Sequence, residues 1–327
     1  MRAMTMRTQS RAHAHRGFWL LLAGACAVWL VACNRGEKSV VKGKTFPTPE
    51  AAAESLIAAA ERWDVPALTA ILGSSGVDLV VTDDHVQDKN QSQAFAAQAR
   101  IKTSVVKDAS DPKVAQLVVG SEDWPLPIPI IEDGGAWRFD TEAGRQEVLL
   151  RRIGGNELDA IEVCRGYVEA QKEYALTKHD SSRVNQYAQH VISTPGKHDG
   201  LAWQGPDGTW QGPVGEGIAR AIAEGYVDKQ LPYHGYTFKI LKGQGPAAPM
   251  GEIDFMVEGA MIGGFALAAA PSEYGVTGIK SFIVSHDGII FEKDCGEDTL
   301  KQYKAMERYN PDSSWKPVME PSTAEPT

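Results

Sequence analysis

Cysteine, positive charge and long apolar runs are all scarce in this chain. Its 327 residues include four cysteines, too few for a small scaffold held together by many disulfides. The longest apolar run, residues 18–31, falls short of the roughly 20 residues that a membrane-spanning helix needs. Lysine and arginine number 33 against 42 acidic residues, so the chain is acidic overall.

The charge is unevenly distributed along the chain. Residues 1–32 contain four arginines and no acidic residue, which leaves 29 basic and 42 acidic residues and a formal charge of −13 for the remainder. This remainder has a large excess of acidic residues, whereas phosphates are neutralised by clustered lysine and arginine. We therefore expect no nucleic-acid partner. With 43% hydrophobic and 23% charged residues, the composition is typical of a globular protein.

The first 33 residues have the parts of an export signal in the usual order. A basic stretch ends at Arg16, the apolar run follows, and Leu30-Val31-Ala32 precedes Cys33. This segment resembles the lipobox of bacterial lipoproteins. The resemblance implies that residues 1–32 are a signal peptide and that Cys33 becomes the new N-terminus, bearing acyl chains such as palmitate. The alternative is an ordinary secretory signal in which Cys33 has no role.

The same resemblance implies a location in the cell envelope. Acyl chains on Cys33 make membrane lipid a partner of the protein and anchor it facing the periplasm. Asn34 stands where an aspartate indicates retention at the inner membrane, so we expect the outer membrane. The polar segments 33–45 and 317–327 are predicted to be a tether and a disordered tail.

The mature chain is predicted to be α+β, with two domains. Residues 46–150 begin with helices that start near Thr48 and Asp64, and continue with strands that end in a hairpin at residues 132–135. We expect the proline-containing strand 126–131 to lie at the edge of its sheet. This order of elements resembles the cone-shaped nuclear-transport-factor-2-like fold.

Residues 151–316 are predicted to form the second α+β domain. Apolar residues at helical spacing run from about Asn156 to Tyr174, and an antiparallel meander follows from Tyr236. The start of this helix and the strands after Gly264 resemble the soluble heads of type IV pilin-like proteins. The resemblance implies a pilin-like packing domain, although in pilins this helix continues from an N-terminal membrane helix.

Six short segments spread over the mature chain carry a further resemblance. They are Glu122-Asp123-Trp124-Pro125, Trp137-Arg138-Phe139-Asp140, Arg152-Ile153-Gly154, Ser193-Thr194-Pro195-Gly196-Lys197, Tyr233-His234-Gly235-Tyr236 and Gln244-Gly245-Pro246-Ala247-Ala248. With these segments the sequence resembles an uncharacterised envelope family called domain of unknown function 2950. The resemblance implies no particular activity.

No sequence pattern identifies a catalytic residue, a metal site or a cofactor site. The tripeptide His-Asp-Gly occurs at residues 198–200 and 286–288, but neither His-x-x-x-His nor Cys-x-x-Cys occurs. Asp-Gly is a common turn dipeptide, which explains the repeat without a metal. Gly73-Ser74-Ser75-Gly76 misses the spacing of the turn that exposes a hydrolase serine. We therefore predict no catalytic residue, no metal and no cofactor.

Aromatic residues gather in the middle of the second predicted domain, which is rich in glycine and proline. The candidates to line a groove for a glycan or peptide are Trp203, Trp210, Tyr233, His234 and Tyr236. The alternative is that these side chains pack the loops.

Two cysteines remain after the predicted processing. Cys164 lies on the long helix and Cys295 follows the last strand of the meander, and we expect these elements to pack together. An oxidising compartment permits a disulfide between them. The alternative is two separate buried thiols.

These observations predict an exported, lipid-anchored envelope protein without enzymatic activity. Its role is predicted to be binding, scaffolding or assembly, with another envelope protein as a possible partner. The alternative is an envelope hydrolase, or a glycan- or peptide-binding enzyme, that uses the loops around residues 198–236.

Overall fold

The structure is a computed structural model, and it describes residues 41–226 and 231–319. The fold is α+β, as the sequence predicts. In these ranges the α-helices are α1 (Pro49–Glu61), α2 (Val65–Leu72), α3 (Val77–Val80), α4 (His85–Ile101), α5 (Thr141–Tyr174), α6 (Gly215–Glu224) and α7 (Thr299–Ala305).

The strands of the described residues fall into two five-stranded sheets, one three-stranded sheet (β6-β7-β8) and two short pairs. The strands before α5 are β1 (Thr103–Lys107), β2 (Val114–Val119), β3 (Trp124–Pro125), β4 (Ile130–Asp133) and β5 (Ala136–Phe139). Those between α5 and β14 are β6 (His190–Ile192), β7 (Gly200–Gln204), β8 (Trp210–Gln211), β9 (Tyr236–Leu241), β10 (Gly243–Gln244), β11 (Ile253–Asp254), β12 (Met256–Val257) and β13 (Ala260–Met261). The last are β14 (Ala266–Pro271), β15 (Lys280–Ser285), β16 (Ile290–Asp294) and β17 (Lys316–Pro317).

Capping side chains start α1 and α2. The Thr48 hydroxyl accepts a hydrogen bond from the Ala51 N–H at 3.1 Å, and the Asp64 carboxylate accepts one from the Ala67 N–H at 3.0 Å. Proline follows within two residues of each cap, a position at which its missing N–H costs no helical hydrogen bond. The helix starts predicted near Thr48 and Asp64 are therefore confirmed.

The first sheet is antiparallel, in the order β1-β2-β4-β5, and β3 also pairs with β2. Gly134 and Gly135 close the β4–β5 hairpin with φ angles of 64° and 84°, which glycine adopts without strain. The prediction that segment 126–131 is an edge strand is wrong, because β4 lies between β2 and β5. Pro127 and Pro129 fall in the link between β3 and β4, where they remove no hydrogen bond from the sheet.

A single helix of 34 residues, α5, joins the two halves of the described chain. The sequence predicts this helix from about Asn156, but it starts at Thr141, so the predicted domain boundary at residue 150 lies inside it. Gly154 and Gly155 do not interrupt the helix, although each costs about 1 kcal/mol relative to alanine. Both glycines are exposed, and the residues that flank them pack inward.

The buried apolar side chains form two clusters. The first spans Phe46 to Phe139 and lies between the helices α1 and α4 and the first sheet. The second spans Ala160 to Trp315 and lies between α5 and the second sheet. The described residues belong to one compact unit. None of its helices is long and apolar enough to cross a membrane.

The second sheet is an antiparallel meander in the order β17-β16-β15-β14-β9. Its strands include the predicted segments from Tyr236 onward, and β14 is buried along its whole length. Four of the six residues of β14 are alanines, and both α5 and α7 contact this strand. Short side chains there let these elements approach the sheet closely.

Both predicted terminal segments extend into the fold. The Lys44 N–H donates to the Ala70 carbonyl at 2.8 Å, so the end of the predicted tether packs on α2. The Val318 N–H donates to the Ile290 carbonyl at 2.8 Å, so the start of the predicted tail continues the second sheet. The predicted signal peptide, Cys33 and most of the predicted tail lie outside the described residues.

Gly154→Ala is expected to raise the free energy of unfolding by about 1 kcal/mol, because alanine favours a helical backbone. Nothing lies within 4 Å of the Cβ that the substitution adds. Gly144→Ala in the same helix is the matched control: its Cβ falls 2.5 Å from the Ile128 Cα, so stability should drop. Urea unfolding followed by circular dichroism measures both variants. A less stable Gly154→Ala variant would contradict a continuous α5.

Candidate ligand-binding cavity

The first half of the chain forms a cavity of about 370 Å³ that is open to solvent on one side, bounded by α1 to α4, the β3–β4 segment and α5. Most of its walls are apolar. The lining residues are Leu56, Ala60, Trp63, Leu68, Leu72, Leu79, Val80, Asp88, Gln91, Ser92, Phe95, Trp124, Leu126, Pro127, Ile128, Val148, Arg151 and Arg152.

Helical spacing brings the lining side chains of each helix onto one face. In α4 they recur at positions i, i+3, i+4 and i+7: Asp88, Gln91, Ser92 and Phe95. In α5 they recur at i, i+3 and i+4: Val148, Arg151 and Arg152. One face of the polar helix α4 therefore forms a wall of the cavity.

Two tryptophans contribute to the cavity wall. Trp63 lies between α1 and α2 with a φ angle of 52°, a conformation that costs a residue other than glycine on the order of 1–3 kcal/mol. Trp124 is 41% exposed, and the Arg151 guanidinium lies 5.1 Å from the centroid of its ring. Trp124 and Arg151 therefore border the part of the cavity that meets solvent.

The Arg152 guanidinium lines the cavity without a carboxylate partner among the described residues. Two of its N–H groups donate to backbone carbonyls, those of Asp78 at 2.7 Å and Leu79 at 2.6 Å. Burial lowers the pKa of Arg152, and the negative charges of Asp88 and Asp78 oppose this shift. The cavity thus contains a cation that is desolvated and only partly compensated.

Asp88 is the acidic residue of the lining. Its carboxylate accepts hydrogen bonds from the Thr82 N–H at 2.6 Å and the Thr82 hydroxyl at 3.1 Å. Burial raises the pKa of Asp88, although the hydrogen bonds from Thr82 oppose the shift. Both carboxylate oxygens are therefore engaged within the protein.

The loop before α4 connects this wall to the second half of the chain. The Thr82 hydroxyl, which donates to Asp88, also accepts a hydrogen bond from the Asp84 N–H at 3.1 Å. The Asp84 carboxylate then accepts from the Gly235 N–H at 2.9 Å and from the Tyr226 hydroxyl at 3.0 Å. Asp84 is 1% exposed, so these bonds are shielded from water.

Asn156 on α5 makes a second connection between the halves. Its side-chain oxygen accepts from the Gln87 amide at 3.0 Å, and its side-chain nitrogen donates to the Thr277 carbonyl at 2.9 Å. Asn156 is 2% exposed. Asp84, Asn156 and their hydrogen-bond partners therefore form a junction between the two halves, and the side chains at its centre are buried.

The residues predicted to line an aromatic groove occupy different environments. Tyr236 is fully buried and donates to the Lys280 carbonyl at 2.8 Å, so it packs the second core instead of lining a groove. Tyr233 and His234 stack with ring centroids 4.2 Å apart, and the His234 Nδ1 lies 2.8 Å from the Asp159 carboxylate. These two residues adjoin the junction.

Trp203 belongs to a separate aromatic group. Its ring meets His198 edge-on at 4.8 Å, and the His198 Nδ1 lies 2.8 Å from the Asp180 carboxylate. Trp210 is half-buried in β8. Among the described residues, no hydroxyl or thiol hydrogen-bonds to the ring of His198 or His234. Neither imidazole therefore has a partner that it would activate as a nucleophile.

Cys164 and Cys295 are free thiols in the structure, and the disulfide between them stays a prediction. Cys164 is fully buried in the second core, whereas Cys295 lies partly exposed beyond β16. Burial raises the pKa of Cys164 to about 12, which keeps that thiol protonated. Across residues 41–226 and 231–319, no group of three or more His, Cys, Asp or Glu side chains is arranged to hold a metal ion.

The sequence does not predict the cavity. Its lining is spread from Leu56 to Arg152 over several elements, and no local motif marks it. One signal in the sequence could have indicated it. Asp88 and Arg152 each stand at helical spacing from apolar residues, which is typical of charged side chains that face a core.

A family model described as a protein of unknown function (DUF2950) matches residues 43–318. No curated protein and no solved structure matches the chain.

Asp88→Asn is expected to change how stability depends on pH. Because burial raises the Asp88 pKa from its ordinary value of 3.8, the folded state holds this proton to a higher pH than the unfolded state does. The wild type therefore loses stability relative to Asp88→Asn as the pH rises from about 4 through the raised pKa. Urea unfolding of both proteins over a pH series measures the difference. A difference of the opposite sign would show that the fold favours the ionised carboxylate.

Proposed function

The chain belongs to the DUF2950 family of proteins of unknown function, and we propose that it is an exported, lipid-anchored envelope protein that binds a small apolar molecule. The observation that carries the binding role is the cavity of about 370 Å³ inside the first half. Ligand sites span about 300–1,000 Å³ and combine apolar walls with a few polar groups. The cavity has this size and this composition.

The anchoring role is supported by the sequence before the described residues. Leu30-Val31-Ala32-Cys33 follows a basic and an apolar segment in the order of a lipoprotein signal. Two or more acyl chains on one cysteine give stable membrane attachment, whereas one chain gives marginal attachment.

Binding is better supported than the other roles considered. An assembly role rests on the lipid anchor and on the resemblance of the second half to pilin heads, which comes from short sequence segments and from the order of α5 and the meander. An enzymatic role for the loops around residues 198–236 lacks an activated nucleophile in the described geometry. A binding role, in contrast, has a cavity with the volume and the apolar walls of a ligand site.

Ala60→Leu is expected to block binding of an apolar probe, because the larger side chain enters the cavity that Ala60 lines. The fluorescent probe N-phenyl-1-naphthylamine reports binding by increased emission. We expect its affinity for the variant to fall at least about tenfold, which corresponds to roughly 1.4 kcal/mol.

Ala58→Leu is the matched control for the cavity test. Ala58 lies on the same helix and is half-buried, but it does not line the cavity. This variant should bind the probe as the wild type does. Equal binding by the wild type and Ala60→Leu, with both proteins folded, would place the probe elsewhere and overturn the binding proposal.

Cys33→Ser is expected to abolish incorporation of an alkynyl palmitate label and to release the protein from the membrane fraction. Cys26→Ser is the matched control, because Cys26 lies in the apolar run without the lipobox pattern before it. This control should keep both the label and the membrane association. A labelled Cys33→Ser protein would refute the anchor.

A further inference from the structure

Arg152 places positive charge in a largely apolar cavity. Two of its N–H groups are used by backbone carbonyls, and the described residues provide no carboxylate in ion-pair contact with its guanidinium. A guanidinium has five N–H donors, so donors remain for a further acceptor. A buried cation is costly unless an anion and hydrogen bonds compensate it.

The charged residues of the lining differ in how well each is compensated. Arg151 and Arg152 are cationic, and Asp88 is the acidic residue among the lining residues. The Asp88 carboxylate already accepts hydrogen bonds from the N–H and hydroxyl of Thr82, so it is a poor receptor for a cationic ligand. Glu147 pairs with Arg151, so Arg152 is the cation of the lining that lacks an ion-pair contact among the described residues, although the charges of Asp88, Asp78 and Glu273 act on it at longer range.

We propose that the cavity binds a monoanionic amphiphile, a carboxylate with an aliphatic chain, whose carboxylate contacts Arg152 and whose chain lies against the apolar walls. This inference rests on the proposed binding function. A carboxylate matches the planar donor geometry of a guanidinium, and such charge-assisted hydrogen bonds are stronger than neutral ones.

Arg151 has a different place in the site. Its Nε donates to the Glu147 carboxylate at 2.7 Å, and its guanidinium lies over the Trp124 ring. The Arg151 side chain is 42% exposed, so water screens its charge. It stands at the mouth, where its charge attracts an entering anion but contributes less to the bound state than Arg152 does.

The test compares ligands that share one chain and differ in the head group. Decanoate, decanol and decylamine are titrated calorimetrically into the purified full-length protein, with acetate as the head group alone. We expect decanoate to bind about 10–100-fold more tightly than decanol, because its carboxylate adds one charge-assisted hydrogen-bonding group. Decylamine should bind more weakly than decanol, and acetate should show no measurable binding.

Variants assign the effect to one arginine. Arg152→Gln should reduce decanoate affinity to that of decanol for the same variant, and Arg152→Lys should restore part of the difference. Arg151→Gln should change decanoate affinity less than Arg152→Gln does. If loss of the Asp78 and Leu79 contacts unfolds the Arg152 variants, the ligand series on the wild type still decides the question.

The outcomes separate the two proposals. Equal affinity for decanoate and decanol, or tightest binding of decylamine, overturns the proposal of an anionic ligand. The proposal that the cavity binds an apolar molecule would remain. No binding of any decyl compound, together with a negative probe result for the wild type, overturns the binding function itself.

Discussion

One helix serves two hydrophobic cores, and this shared use constrains the elements on both sides. The first turns of α5 carry Arg151 and Arg152 to the cavity, while its later turns carry Cys164 and Tyr174 into the second core. Because a helix is a rigid element on this scale, the position of one core along α5 fixes the position of the other. A rotation that improves packing at one end of α5 disturbs packing at the other.

The junction beside α5 holds the two halves in a single register. Asp84 and Asn156 are almost fully buried, and their hydrogen-bond partners come from chain segments far apart in sequence. A shift between the halves leaves these groups without partners, at a cost of about 1–3 kcal/mol for each unsatisfied group. The same loop holds Thr82 against Asp88, so the cavity wall and the junction share their supports.

The elements that the sequence predicted correctly are those defined by local chemistry. Thr48 and Asp64 cap helices through hydrogen bonds to N–H groups three residues ahead, and such a signal lies within one helical turn. The glycine pair at 134–135 defines a hairpin in the same local way. The meander from Tyr236 follows from alternating short strands and turns.

The parts that the sequence did not predict depend on tertiary structure. Gly154 and Gly155 weaken the local signal for a helix, and only packing at both ends makes α5 continuous through them. Of the predicted proline-containing edge strand 126–131, only residues 130 and 131 are strand, and they lie in β4, whose interior position is set by pairing with both β2 and β5. The cavity and the junction join residues distant in sequence, so periodicity alone cannot identify them.

The shared helix also sets an order of folding. Every wall of the cavity is present once the chain has been made as far as Arg152, whereas the partners that Asp84 finds in the second half first appear at Tyr226. Chains emerge from their N-terminus, and contacts close in sequence form before distant ones. Until then the Asp84 carboxylate lacks two of its hydrogen-bond donors, and the loop bearing Thr82 lacks its support from the second half. The residues that line the cavity thus come from the part of the chain made first, and part of the support for its wall comes from the part made last.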